Sequence, residues 1–124
     1  MQIQLRQLET QEEYEACVQL QRATWGEHFS ECVPPAMLMI TQKVGGVAAG
    51  AFNSKNQLVG FVYGLTGIKD GKLVNWSHML AVRKELRGQG LGLKLKLFQR
   101  ELLLKKNVEL IFWTYDPLVA RNAH

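Results

Sequence analysis

At 124 residues, 47% of them apolar, the chain is long enough to bury one core and short for separate cofactor and substrate domains. No apolar run approaches the roughly 18 residues of a membrane span, and the N-terminus lacks a signal-peptide core, so a membrane is not an expected partner and a cytoplasmic location follows by default. The formal charge of +4 favours anions. The Lys and Arg residues are nevertheless spread along the chain without interleaved aromatics, which argues against nucleic acid. Cys17 and Cys32 are too few for a disulfide scaffold, and no Cys/His cluster has metal-ligand spacing. Both read as ordinary thiols, and no metal is expected.

Taken in chain order, Ile3, Leu5 and, less regularly, Leu8 suggest a short first strand. Thr10 with Glu13 forms a capping box that predicts a helix to about Thr24. Tyr14, Cys17, Val18 and Gln21 trace its inner stripe with Leu20 beside it, and Trp25-Gly26 closes it. A loop containing Glu27 and His28 runs to Pro34. Pro35 suits a first helical turn, so Pro35 to Lys43 reads as a second helix with Met37, Leu38 and Ile40 inward. Val47 to Phe52 and Leu58 to Leu65 form a predicted hairpin around the turn-rich segment Asn53 to Gln57. A turn over Ile68 to Lys72 leads to a strand from about Leu73 to Val82. Beyond a glycine-rich loop come a helix from about Gly90 to Lys106 and a β-rich run from Val108 to Tyr115, ended by Asp116-Pro117. With no repeat, low-complexity segment or linker, residues 1–124 read as a single α/β unit.

Most of the chemical information lies between His78 and Leu95, where an apolar strand, a glycine-punctuated turn and a helix start follow one another. Gly88, Gly90 and Gly92 remove the Cβ atoms that keep a ligand off the backbone, and several N–H groups then point one way where the helix dipole is positive. Arg87 adds a positive charge beside them. The spacing fits neither G-x-G-x-x-G nor the P-loop, which needs Gly-Lys-Ser/Thr. In the following helix, Leu91, Leu95, Phe98 and Leu102 define the stripe expected on the sheet. Leu93, Leu97 and Leu104 form a second stripe, explained by cover from a neighbouring loop or by contact with another chain or an absent part of the fold. Lys94, Lys96, Lys105 and Lys106 read as a solvated side, with Lys94 near enough to the loop to assist a phosphate.

The pattern Arg87-x-x-Gly90-x-Gly92 after Leu80-Ala81-Val82 resembles the acyl-CoA-binding motif of the GNAT acyltransferase superfamily. The element order is similar to the first two thirds of a GNAT domain. Gln21 to Gly26, Val33 to Pro35, Gln42 to Gly46, Ser77 to Val82 and Trp113 to Leu118 resemble an uncharacterised branch of predicted acetyltransferases. The fold this implies is a mixed, mostly antiparallel sheet flanked by helices. In the resembling proteins the segment corresponding to Ala120 to His124 begins a fourth helix followed by two strands. The resemblance therefore implies a C-terminally incomplete domain with an exposed strand edge, which invites homo-oligomerisation there or through Leu93, Leu97 and Leu104.

The function implied is transfer of acetyl from acetyl-CoA to a small amine by direct attack. Backbone groups at Leu80, Ala81 and Val82 would hold the pantetheine arm. Arg87, Gly88, Gln89, Gly90, Leu91 and Gly92 would hold the pyrophosphate, and Asn122 would contact the cofactor arm. The tyrosine that often protonates the departing thiolate would lie in the absent part. His78 is the candidate base, since alternation places it with Trp76, Leu80 and Val82 on one face. The alternative is a histidine satisfied by a neighbouring strand or helix. Glu27 and His28 read as solvated loop residues, with acceptor contact as the alternative. Trp76, Trp113 and Tyr115 read as core before they read as an acceptor pocket, and Asp116 as a strand terminator before a substrate contact. A second function remains open: an incomplete module that binds coenzyme A or self-associates without turnover.

Overall fold

The computed structural model describes residues 2–113. Its elements are β1 (Gln4–Gln7), α1 (Gln11–Trp25), α2 (Pro35–Lys43), β2 (Val47–Phe52), β3 (Leu58–Lys69), β4 (Lys72–Val82), a 3-10 turn over Lys84–Leu86, α3 (Leu91–Leu104) and β5 (Leu110–Trp113). The strands make one sheet in chain order. β1 to β4 are antiparallel neighbours, and β5 joins β4 in parallel. α1 and α2 cover one face, where Tyr14, Cys17, Val18, Leu20 and Leu38 meet Phe52, Phe61, Tyr63, Met79 and Ala81. α3 covers the other, where Leu91, Leu95 and Leu103 meet Val47, Ala49, Ala51, Val59, Val62 and Val82.

Local chemistry sets the element ends. The Thr10 hydroxyl accepts the Glu13 N–H at 3.2 Å, and Glu13 Oε1 accepts the N–H groups of Thr10 and Glu9 at 3.3 and 2.7 Å. Arg6 of β1 donates to both Glu13 oxygens, at 3.0 and 2.7 Å, and stacks on Phe52. The Arg6 guanidinium holds the Glu13 carboxyl below its usual range. Partial burial opposes this, and the Glu9 and Thr10 N–H groups reinforce it. A lowered native pKa means that this contribution to stability is complete above the unfolded carboxylate range near pH 4.5 and is lost as pH falls through the native value. Glu13→Gln is expected to flatten the acid limb of a stability–pH profile measured by urea denaturation. An unchanged limb would remove Glu13 from acid sensitivity.

Three elements besides β4 depart from the sequence expectations. In α2 the inward residues are Leu38 and Thr41, whereas Met37 and Ile40 face outward. Thr41 turns inward because its hydroxyl pairs with the Tyr63 hydroxyl at 2.8 Å. β3 runs on to Lys69, past the expected end at Leu65, because Asp70 and Gly71, with φ of 54° and 77°, form a two-residue turn that lets the ladder continue to Lys69↔Lys72. In α3 the buried stripe is Leu91, Leu95, Gln99 and Leu103, with Phe98 and Leu102 half-buried beside it. Gln99 belongs there because its partners are waiting on β4. Its Nε2 donates to Asn75 Oδ1 at 3.1 Å, and its Oε1 accepts from the Ser77 hydroxyl at 3.3 Å.

The register of β4 matters most for the site. Tyr63 pairs with Met79 and Gly64 with Ser77, so His78 is the extra residue of a β-bulge. Asn75 and Ser77 face α3, and so do Leu80 and Val82. His78 instead sits against Tyr63 on the α1/α2 side. The expected single face of Trp76, His78, Leu80 and Val82 is therefore broken at the bulge: one inserted residue reverses the alternation beyond it.

Candidate functional site

The C-terminal half of β4 presents an open backbone edge. Arg83 N–H donates to Val59 O at 2.8 Å, just outside the Gly60↔Val82 pair. That pair is thus of the non-hydrogen-bonded kind, and alternation makes Leu80↔Val62 the same. The N–H and C=O groups of Leu80 and Val82 accordingly point away from β3. On that side β5 pairs only with Val74 to Ser77, so among the described residues no strand lies beside Leu80 to Val82. Val82 O accepts from Arg87 Nε at 3.1 Å.

The glycine loop continues directly from this edge. Gly88 and Gly90 have φ of 83° and 80°, the left-handed region that glycine enters without strain. Gly90 caps α3 with no side chain bonded to the first-turn N–H groups, and no acidic residue stands in that turn. The contrast with α1 is plain: there the capping box and two glutamates satisfy the same positions. The N-terminus of α3 thus combines unclaimed amide donors, a positive dipole end and the Arg87 charge.

Edge and loop meet in one cleft of about 510 Å³, within the usual range of roughly 300–1,000 Å³ for ligand pockets. Leu80, Ala81, Val82, Arg87, Gly88, Gly90, Leu91 and Gly92 line it. Gln89 does not. It lines a smaller hollow of about 160 Å³ with Ile3 and Lys94. Thr24 and Trp25 at the end of α1, together with Leu86, complete the cleft. These three were missed as site residues because the sequence pattern marks Trp25 only as a helix end. Its indole lies 5.4 Å from the Phe29 ring and 6.4 Å from that of Phe61, which holds it at the mouth.

The remaining candidates lie elsewhere. His78 is half-buried beside Tyr63 and is not part of the cleft lining. Glu27 and His28 are exposed. Trp76 stacks on Phe112, and Trp113 lies under the Lys96 ammonium on the opposite face. They are 40% and 48% exposed, so neither is core and the two do not share a pocket. Tyr115, Asp116 and Asn122 lie outside the described residues. The Cys17 thiol is pushed up to about 12 by burial, which suits a packing role.

No protein-family model matches the sequence, and no curated protein matches it. Solved structures do. An aminoglycoside acetyltransferase from an uncultured soil metagenomic sample, in complex with sisomicin, superposes with a TM-score of 0.78 at 17% identity, covering 98% of this chain and 82% of its own. Glucosamine-6-phosphate N-acetyltransferase from Arabidopsis thaliana gives 0.75 at 11% identity, covering 99% and 88%. An aminoglycoside N-acetyltransferase in complex with CoA gives 0.74 at 14% identity, covering 98% and 82%. With the strand order, the β4 bulge and the glycine loop in place, the chain has a GNAT-like fold.

Proposed function

We propose that the chain is an acetyl-CoA-dependent N-acetyltransferase acting on a small amine in the cytoplasm. The observation that carries this reading is the single cleft joining the open β4 edge to the uncapped N-terminus of α3. An amide-bearing arm fits that edge as an added strand would, on the N–H and C=O groups of Leu80 and the N–H of Val82, whose C=O already accepts from Arg87. A pyrophosphate fits the loop from Arg87 to Gly92, where amides and a guanidinium converge. Acetyl-CoA supplies the acetyl group as an activated thioester. The protein's share of the chemistry is to hold the donor, orient the amine and receive its proton. His78 is assigned that proton, through water. Its imidazole makes no hydrogen bond among the described residues and stands one bulge position from the open edge.

Calorimetric titration with acetyl-CoA, followed by a thiol-release assay across a panel of amines, tests the proposal. Binding with amine-dependent thiol release is expected. A folded chain that binds no acetyl-CoA overturns it, and a His78→Gln chain that turns over as fast as the parent removes His78 from its role. One observation favours a second reading, a cofactor-binding module that self-associates without turnover: Leu93, Leu97 and Leu104 are 62%, 48% and 49% exposed on the outside of α3. Binding without thiol release, together with a dimer mass in light scattering, would establish it.

A further inference from the structure

The buried stripe of α3, from Leu91 through Leu95 and Gln99 to Leu103, packs on the sheet, and the opposite side of the helix is open. On that side Leu93, Leu97, Arg100 and Leu104 follow one another at intervals of four, three and four residues, and all four are exposed. This is the spacing of the seam along which two helices pack knobs into holes. Lys94 and Glu101 flank the seam on one side, one heptad apart. Both are exposed, and among the described residues neither side chain makes a hydrogen bond or ion pair. On the other flank the Lys96 ammonium is already engaged with the Trp113 ring.

We propose that this face pairs with the same face of a second copy of the chain, the two α3 helices running antiparallel about a two-fold axis between residues 98 and 99. In that register Leu93 meets Leu104 of the second copy and Leu97 meets Arg100, each contact made twice by symmetry. A flank of an antiparallel pair lies beside the same flank of its partner, so Lys94 meets Glu101 and Glu101 meets Lys94: the face is complementary in charge to itself. A parallel pair would instead set Arg100 against Arg100 in the seam, and like charges facing each other oppose it. Arg100 therefore selects the direction, and the exposed leucines supply the attraction. Four seam positions on a 14-residue helix make a contact smaller than the roughly 1,200 Å² of a stable complex, so the dimer is a weak one, with a Kd of about 10–100 µM. The inference goes beyond the acetyltransferase reading and does not depend on it.

Sedimentation equilibrium of the full chain, without acetyl-CoA or amine, tests it over a concentration series from about 1 µM to 1 mM, which brackets the expected Kd. The parent is expected to pass from monomer to dimer and to go no further, because a two-fold contact closes on itself. Leu97→Lys, which sets a second cation against Arg100 of the other copy, is expected to remain monomeric throughout. Lys94→Glu and Glu101→Lys each turn two attractive contacts into repulsive ones and are expected to weaken the dimer about tenfold. Carrying both charge changes together restores the opposite signs and is expected to bring the Kd back to within about twofold of the parent. Urea midpoints confirm that each variant is folded. Should Leu97→Lys not fold, the charge variants decide, since they alter only exposed side chains. A parent that stays monomeric, or a dimer that Leu97→Lys leaves intact, overturns the proposal. So does a double charge variant no better than the single ones, which removes the antiparallel register, and so does growth beyond two copies, which places the contact on a surface that does not close.

Discussion

Gly92→Glu is expected to weaken acetyl-CoA binding by at least about 100-fold without destabilising the fold. Gly92 is the second residue of α3, has ordinary helical φ, and an added Cβ meets only Leu80 Cδ2, at 3.5 Å. Glutamate there improves helix propensity by about 0.5–1 kcal/mol and places a favourable charge in the first turn. The same carboxylate stands in the cleft against the assigned pyrophosphate. Two like charges about 4 Å apart cost about 4 kcal/mol at an effective dielectric of 20, enough for the predicted loss. Gly90→Glu is a poorer test, because a side chain at φ 80° strains the backbone before any ligand is considered. Calorimetry and urea denaturation on one preparation separate binding from stability. A Gly92→Glu protein that binds like the parent would show that the phosphates lie elsewhere.

The second large effect is on stability. Gly64→Ala is expected to cost about 3 kcal/mol, read as a lowered urea midpoint with little change in slope. A Cβ built on Gly64 falls 2.2 Å from Asn75 Oδ1 and 2.7 Å from Gln99 Nε2. Neither side chain is a flexible end. Both are fully buried, and they bond one another. Asn75 also donates to Thr66 Oγ1 at 3.0 Å, and that hydroxyl donates to Gly45 O at 2.9 Å. Moving Asn75 strands buried polar atoms, each worth about 1–3 kcal/mol when left unsatisfied. A measured loss below about 1 kcal/mol would mean that the network shifts as a unit and does not form a rigid seam between α3 and β4.

The residues of α1 show how far sequence reasoning reaches. The capping box at Thr10 and the stripe of Tyr14, Cys17, Val18, Leu20 and Gln21 were legible, and all five stripe residues are buried. Even the polar Gln21 falls into line, held by the N–H and C=O of Val33 at 2.7 and 3.0 Å. Capping and 3.6-residue periodicity act between near neighbours, so one helix carries its own instructions. α3 follows the same rule only in part. Gln99 lies on its buried stripe because Asn75 and Ser77, more than twenty residues earlier, supply the partners, and no pattern within the helix announces them.

The glycine loop was legible for the same local reason: spacing, charge and a helix start occur within one short segment. Its union with Thr24 and Trp25 was not, since those residues reach the cleft only when α1 packs across the sheet. Nor could alternation locate His78, because a single inserted residue at the bulge exchanges the two faces of β4 beyond it. By itself, then, the sequence determined the element order, most of the helix and strand bounds and the place of the glycine loop before a helix, all of which follow from patterns a few residues long, whereas the mixed sheet was implied only by resemblance, since its strands pair across distances such as Gln4 to Phe52. Tertiary structure alone decided which face His78 occupies, which polar groups could be buried and which backbone edge stayed open, because each depends on partners brought from distant parts of the chain.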